Sequence, residues 1–311
     1  MERADDYQRV VRDGGFIPLE RAHFLISGAD SERYLNGQLT NRVDDLRDAE
    51  AGDAGALDAK GKIATELHFA RHPGGYHLDT PPDAREQAAA RLERYMIAGE
   101  VELEDASERF RLAPIVHGAR DPAALPGGCR LADALRVGIA GHDLLAAPDA
   151  FDDALQTLEA LGIGRIPEAV AESLRLERAV ARWGVDFDSS SLPAEAGIEA
   201  RAVSFDKGCY IGQEVVSRIA SVGSPSRLLR LLAPLAPGDR PPSAGDRLYA
   251  EPASAKACGE ITSGGFSFAL DKPLALGYLK RGANQLGMHV FAEPKDGGPR
   301  GEIEIINPIE S

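Results

Sequence analysis

One short stretch of this sequence concentrates side chains that can do chemistry: Asp206-Lys207-Gly208-Cys209-Tyr210-Ile211-Gly212-Gln213-Glu214. It brings a cation, a thiol, a phenol, an amide and a carboxylate into one short segment. Gly208 and Gly212 permit the positive φ angles of a tight loop that a ligand can approach closely. Cys209 is the nucleophile of this set, because a cysteine that ionises to the thiolate is reactive near neutral pH.

The residues after this loop show helical periodicity. Ile211, Val215 and Ile219 recur at four-residue spacing, which predicts a helix with one apolar side. Cys209 is therefore expected at or just before a helix N-terminus, where free N–H groups and the helix dipole lower the pKa of a thiol. We interpret Cys209 as a functional thiol on a binding loop. The alternative is a small buried side chain on a structural turn, since free cysteine is usually interior.

The composition bounds the class of protein. The chain has 311 residues, of which 43% are hydrophobic and 27% charged, as in a globular protein of two or three domains. Its formal net charge is −14. Broad electrostatic capture of DNA, RNA or an anionic membrane needs basic surface, so we expect no nucleic-acid surface and no membrane association.

The cysteines and the N-terminal residues indicate the compartment. Cys129, Cys209 and Cys258 are far apart and offer neither a disulfide framework nor the spacing of a zinc site, so no metal site is expected. A reducing compartment follows. The first residues are polar and acidic, and no apolar run reaches the roughly 18 residues of a membrane span. We therefore expect a cytoplasmic protein.

The first half of the chain reads as a mixture of strands and helices. A strand at 22–28 precedes a helix, and strands at 54–57 and 63–69 flank a hairpin turn at 58–62. A helix at 83–96 and a strand at 101–104 follow. This order is typical of an α+β arrangement with a mostly antiparallel sheet.

The second half of the chain carries a carboxylate that is a candidate for ligand binding, and its sequence pattern then changes to that of short strands. The loop 192–199 holds Glu195 and Glu199 between apolar neighbours, where a glutamate can pair with a donor-rich ligand or remain exposed to solvent. Short, turn-bounded segments at 228–232, 247–250, 259–263, 274–278 and 289–292 then predict a small all-β barrel.

Four motifs in chain order make the sequence resemble a known family. They are 27–30 with 35–40, 57–63, 176–186 with 192–197, and 205–214. Together they are similar to the YgfZ-type folate-binding proteins, which are relatives of the glycine cleavage T-protein, an aminomethyltransferase. The resemblance covers nearly the whole chain, and 205–214 is its most specific part.

The resemblance implies a fold class and a domain division. The fold would be α+β, with two ferredoxin-like α+β subdomains and a C-terminal antiparallel β-barrel around a central opening. Residues 1–50 and 108–223 would form a discontinuous first subdomain, residues 51–107 an inserted second one, and residues 224–311 the barrel.

The resemblance also implies a ligand and site residues. Tetrahydrofolate would bind in the opening, and Glu195 would accept the amino and ring N–H groups of the pterin, as a carboxylate can do with two parallel hydrogen bonds. Cys209 and Lys207 match the thiol and the cation of the signature and are the candidate catalytic residues. The remaining candidates for folate binding are Tyr210, Gln213, Arg227 and Asp79.

Three functions are compatible with these residues. YgfZ-type proteins support assembly or repair of iron–sulfur proteins, so the first is a tetrahydrofolate-binding accessory protein with a reactive Cys209 and iron–sulfur clients as partners. The chain does not hold a cluster in the usual way, because four cysteine ligands are needed and three widely spaced ones exist. The second is an aminomethyltransferase or other one-carbon transferase, with Asp79 or Asp83 near the folate amine. The third is a non-catalytic folate-binding module.

Overall fold

The computed structural model describes residues 2–96, 99–116, 124–236 and 240–309. In the first half of the chain the elements are α1 (Glu2–Asp13), β1 (Gly15–Phe16), β2 (Ala22–Ser27), α2 (Ser31–Gln38), β3 (Ala51–Leu57), β4 (Ile63–His72), β5 (Gly75–Thr80), α3 (Arg85–Glu93), β6 (Glu102–Asp105), β7 (Arg111–Val116), β8 (Arg130–Ala134), β9 (Gly141–Ala146) and α4 (Pro148–Ala160). They continue with α5 (Glu168–Glu177), α6 (Pro193–Ala196), α7 (Glu199–Ala202), α8 (Gln213–Val222), β10 (Arg227–Pro234), β11 (Arg247–Tyr249), β12 (Gly259–Ser267), β13 (Lys272–Lys280), β14 (His289–Glu293) and β15 (Gly301–Ile306).

The contacts divide the chain into two units. One comprises Gln8–Ile166 and Glu199–Ser217, and we call it the two-sheet unit. The other comprises Met1–Tyr7, Pro167–Ile198 and Arg218–Ser311, and we call it the barrel unit.

The two-sheet unit contains two antiparallel sheets. The larger has the strand order β3-β4-β5-β2-β6 and the smaller the order β1-β7-β9-β8. Strand β2 shows how sequence sets the packing: Ala22, Phe24 and Ile26 alternate along it and enter one hydrophobic core, whereas His23 is buried on the opposite face. This unit therefore buries residues on both faces of β2.

The barrel unit is built on a closed antiparallel barrel with the order β10-β13-β12-β11-β14-β15. Its interior is filled by alternate residues of these strands, including Leu232, Ile261, Leu279 and Ile305. The closed barrel and the mixture of helices and strands confirm the α+β fold class.

The predicted three-part division stays a prediction, but one feature of the structure differs from it. Strand β2 lies before residue 51, yet it pairs with β5 and β6 in the larger sheet. The larger sheet therefore contains strands from both sides of residue 51. Among the described helices, none is long and apolar enough to cross a bilayer.

Candidate functional site

The segment 205–212, which we call the signature loop, lies between α7 and α8. The predicted helix is confirmed, and it begins at Gln213 with Gly212 before it at φ +85°. Cys209 therefore lies four residues ahead of the helix, outside the first turn to which the helix dipole effect is confined. The thiol was expected at or just before the helix N-terminus, and it lies about one turn ahead of it because Ile211 and Gly212 form a turn instead of helix.

Lys207 holds this loop against the segment that carries the first motif. Its ammonium donates to the carbonyl oxygens of Leu39 at 2.8 Å and Asn41 at 2.6 Å. The same nitrogen lies 5.3 Å from the ring centroid of Tyr210, which is itself buried. Burial lowers the pKa of Lys207 to about 8. The ammonium of Lys207 therefore binds backbone carbonyl oxygens and positions the loop.

Two glycines let the second motif approach the same loop. A Cβ at Gly212 would lie 2.6 Å from the carbonyl oxygen of Asp58, and a Cβ at Gly61 would lie 2.9 Å from the side chain of Val215. Each contact is shorter than real Cβ atoms make, so both glycines are required by the close packing of the chain. The first, second and fourth sequence motifs consequently meet in one place in the two-sheet unit.

Thr40 of the first motif completes this junction. Its hydroxyl donates to the carbonyl oxygen of Ala202, and the N–H of Gly55 donates to the same hydroxyl at 2.8 Å. The N–H of Ser204 donates to the carbonyl oxygen of Thr40 at 2.9 Å. The chain leading into the signature loop is thereby fixed before the loop begins.

Cys209 is exposed, whereas Cys129 and Cys258 are partly buried. Burial raises the pKa of Cys129 and of Cys258, which favours their protonated, unreactive forms. Among the three cysteines, Cys209 is the most exposed to a reagent or partner. Within the described residues, no group of three or more His, Cys, Asp or Glu side chains could hold a metal ion.

Glu195 lies in the barrel unit, on the short helix α6, and is 5% exposed. Its Oε1 accepts a hydrogen bond from the hydroxyl of Ser226 at 2.9 Å, and Arg227 Nε lies 3.4 Å from Oε2. Pro193 at the first helical turn and Gly197 at φ +71° just after it fix the helix at both ends. A buried acceptor carboxylate is thus held on a short, well-terminated helix.

Asp79 lies in a buried ion cluster of the two-sheet unit that sequence reasoning missed. Arg136 binds both its oxygens, at 3.0 and 2.6 Å, and also both oxygens of Asp143, at 2.6 to 3.0 Å. Arg21 adds a bond of 2.6 Å to Asp79. The guanidinium groups hold the pKa of Asp79 well below its usual value, against the effect of burial. Both carboxylate oxygens of Asp79 accept hydrogen bonds from arginines. The role of Asp79 in folate binding remains a prediction.

A cavity of about 850 Å³ opens beside this cluster in the two-sheet unit. Its lining includes Asp53, His68, Arg136, Asp143 and Arg201. His68 is bonded to Asp53 and to Glu66, and Arg201 to Asp53 at 3.1 Å. Histidines aside, the lining holds three arginines and five carboxylates, so the wall carries an excess of negative charge.

The predicted residues thus fall into three groups, one of which is Asp79 in its buried ion cluster. Lys207, Cys209, Tyr210 and Gln213 lie together on the signature loop and the start of α8. Glu195 and Arg227 touch each other in the barrel unit. The sequence gives no signal for Arg136 or His68, because neither stands in a motif and their partners are remote along the chain.

The family model described as the glycine cleavage T-protein C-terminal barrel domain matches residues 227–308. The tRNA-modifying protein YgfZ of Klebsiella pneumoniae (strain 342) is 30% identical over 238 residues, covering 72% of each chain. The protein of the same name from Vibrio atlanticus is 28% identical over 214 residues, covering 66% of this chain and 65% of that one.

Among solved structures, the glycine cleavage system aminomethyltransferase T from Bartonella henselae superposes with a TM-score of 0.83. The match covers 98% of this chain and 88% of that chain at 20% sequence identity. At that identity the likeness shows a shared fold.

Proposed function

The chain belongs to the YgfZ family, and on that premise we propose that it is a tetrahydrofolate-binding accessory protein that supports the assembly or repair of iron–sulfur proteins. The T-protein-like fold supports the folate-binding part of this proposal. The observation that carries the rest is an exposed Cys209 thiol on a loop that Lys207 and Gly212 hold in a fixed place.

The arrangement of the loop suits a reactive thiol. Catalytic side chains work best on a backbone whose position is fixed by its own packing. Lys207 provides that support through two backbone carbonyls, so we assign it a positioning role beside Cys209, the group that would accept a one-carbon unit or bind a client. The alternative of a folate-dependent aminomethyltransferase uses the same fold and is distinguished by the assays below.

Glu195 provides the folate-binding group in this proposal. Its carboxylate is buried and accepts from Ser226, while the contact from Arg227 is near the upper limit of hydrogen-bond length. A pterin amino group and ring N–H would give Oε1 and Oε2 the paired donors that a carboxylate binds most strongly.

The name of the relatives suggests a role connected with tRNA. A chain with a net charge of −14 lacks the excess of basic residues that captures RNA over a broad surface. We therefore propose that any effect on tRNA is indirect and passes through client enzymes that carry iron–sulfur clusters.

Replacing Cys209 by alanine should abolish support of iron–sulfur enzymes in a deletion-rescue assay, because the exposed thiol is the reactive group. Folding should be unchanged, since the side chain is exposed. Cys258→Ala is the matched control and should rescue fully. Full rescue by Cys209→Ala would refute the role of the thiol and favour a non-catalytic folate-binding module.

Replacing Glu195 by glutamine should weaken tetrahydrofolate binding roughly 10- to 100-fold, because hydrogen bonds to a charged acceptor contribute about 1.5–3 kcal/mol. Calorimetric titration measures this directly. Glu302→Gln makes the same chemical change at a half-exposed barrel position and should bind like the wild type. Equal, tight binding by the Glu195 variant would show that the pterin is held elsewhere.

A further inference from the structure

A second cavity of about 490 Å³ lies in the two-sheet unit, and we call it the hairpin cavity because the turn between β4 and β5 forms part of its wall. The rest of the wall comes from the first residues of α2, from Asp48 and from Arg130 at the start of β8. Its volume lies within the roughly 300–1,000 Å³ of small-molecule sites. It shares no lining residue with the larger cavity beside Arg136, and none of its residues belongs to the signature loop.

Four charged side chains line the hairpin cavity, two of each sign, and two of them pair with each other. Arg71 Nη2 lies 3.3 Å from Glu32 Oε2. The same carboxylate oxygen accepts a hydrogen bond of 2.9 Å from the hydroxyl of Tyr76. Arg71 Nε donates to the carbonyl oxygen of Leu46 at 2.6 Å. The charges of Arg71 and Glu32 are therefore compensated within the wall.

The other two charges, on Arg130 and Asp48, are not compensated in this way. Arg130 donates a hydrogen bond to the carbonyl oxygen of Arg71 at 2.9 Å, which is a neutral acceptor. Within the described ranges no carboxylate lies at ion-pair distance from Arg130, and the exposed Asp48 side chain has neither an ion pair nor a hydrogen bond. A cation and an anion thus line one cavity without meeting each other.

Two uncharged groups of the wall add unused hydrogen-bonding capacity. Ser31 is 6% exposed, and its hydroxyl has no hydrogen bond to any described residue. Buried hydroxyls are nearly always paired, so this one indicates a ligand in the cavity. His72 Nδ1 lies 3.2 Å from the carbonyl oxygen of Pro73, which can only accept. Burial lowers the pKa of His72, so the neutral ring carries its proton on Nδ1 and keeps Nε2 as an acceptor.

This set of groups is complementary to a zwitterion. A ligand with a single charge would compensate either Arg130 or Asp48 and leave the other without a partner. A free α-amino acid carries a carboxylate, which accepts from a guanidinium and a hydroxyl, and an ammonium group, which donates to a carboxylate and an imidazole nitrogen. Such a ligand pairs both charges and the buried hydroxyl of Ser31 at once.

We propose that the hairpin cavity binds a free α-amino acid, with Arg130 and Ser31 holding its carboxylate and Asp48 holding its ammonium group. The site shares no residue with the proposed folate site or with the loop that carries Cys209. It is therefore a further ligand site, and its test does not depend on folate binding.

Thermal unfolding of the full chain with each standard amino acid in turn is the first measurement. At least one amino acid should raise the unfolding midpoint, because a ligand that binds the folded state stabilises it. In calorimetry, the amide of that amino acid and its deaminated acid should each bind at least about 10-fold more weakly, since each lacks one of the two charges. The proposal is wrong if no amino acid shifts the midpoint, or if either analogue binds as tightly as the amino acid.

Two variants place the ligand in this cavity. Arg130→Gln should weaken binding of the amino acid about 10- to 100-fold, and Ser31→Ala about 3- to 10-fold. Arg33→Gln is the matched control, because Arg33 lies on α2 with a 78% exposed side chain outside the cavity wall, and it should bind like the wild type. Ser31→Ala loses no hydrogen bond of the described chain, so it decides the result if Arg130→Gln fails to fold. Unchanged affinity in either folded variant would overturn the proposal.

Discussion

Replacing Arg136 by leucine should destabilise the protein by about 3–5 kcal/mol, because it leaves the buried Asp143 without a cation and Asp79 with Arg21 alone. The side chains of Arg136, Asp79 and Asp143 are 6%, 3% and 7% exposed, and the guanidinium binds both acids with two oxygens each. Neither acid can recover this interaction from water without opening the structure. Urea unfolding followed by circular dichroism measures the loss in free energy of unfolding.

Two further variants decide whether burial causes the effect. Arg47 pairs with Glu50 but is 78% exposed, so Arg47→Leu should change the free energy of unfolding far less than Arg136→Leu. Arg136→Leu combined with Asp79→Asn and Asp143→Asn should recover part of the loss, because the unpaired charges are removed with their partner. If Arg136→Leu is no more damaging than Arg47→Leu, the cluster does not stabilise the fold.

Elements defined by local periodicity were predictable from the sequence. The barrel strands are short segments bounded by turns, and the apolar four-residue spacing after Gly212 predicted helix α8. Both signals depend on neighbours a few residues apart. The confirmed parts of the fold are those that depend on sequence patterns within a few consecutive residues.

Features set by distant contacts were not predictable in the same way. Arg136 meets Asp79 across 57 positions of the chain, and Lys207 meets the carbonyl of Leu39 across 168. Nothing local marks an arginine that will be buried with two acids or a lysine that will bind backbone oxygens. The motif marks Lys207 as a site residue, but its positioning role depends on contacts with a segment far away in the sequence.

The glycines of the motifs show both a local sequence signal and an effect of long-range packing. Gly61 and Gly212 are visible in the sequence as turn residues, and both have positive φ in the structure. The close contact between Gly212 and Asp58 is what makes a side chain intolerable there. Motif spacing therefore located the junction, whereas the reason for it lies in the packing of segments far apart in sequence.

Lowering the pH from 7.5 to 5 should also destabilise the protein strongly, because two histidines are buried as neutral imidazoles. His23 Nδ1 lies 3.0 Å from His77 Nε2, and the residues are 1% and 4% exposed. Burial lowers the pKa of His23 to about 4 and that of His77 to about 3. Below about pH 6.5 these histidines are protonated in the unfolded chain but stay neutral in the folded protein. The free energy of unfolding therefore decreases as the pH is lowered, by roughly 2 kcal/mol for each histidine at pH 5.

Other charged groups around this pair act in different pH ranges. Asp79 raises the pKa of both histidines, while Arg136 lowers it. Asp79 has a lowered pKa, so its own contribution to stability is lost only below about pH 4. His68 has a raised pKa, and its contribution is fully present below about pH 6.5 and lost as the pH rises. Neither group accounts for a loss between pH 6.5 and 5.

The variant that isolates this effect replaces His23 and His77 by phenylalanine, which keeps aromatic packing beside Phe110 and removes both titrations. Urea unfolding midpoints measured from pH 7.5 to 5 should then vary much less than in the wild type. His289→Phe removes a half-exposed histidine from the barrel and should leave the slope unchanged. If the wild type and the double variant lose stability in parallel, other groups cause the acid sensitivity. A buried neutral imidazole lowers stability in this pH range only because it stays unprotonated in the folded protein while it is protonated in the unfolded chain.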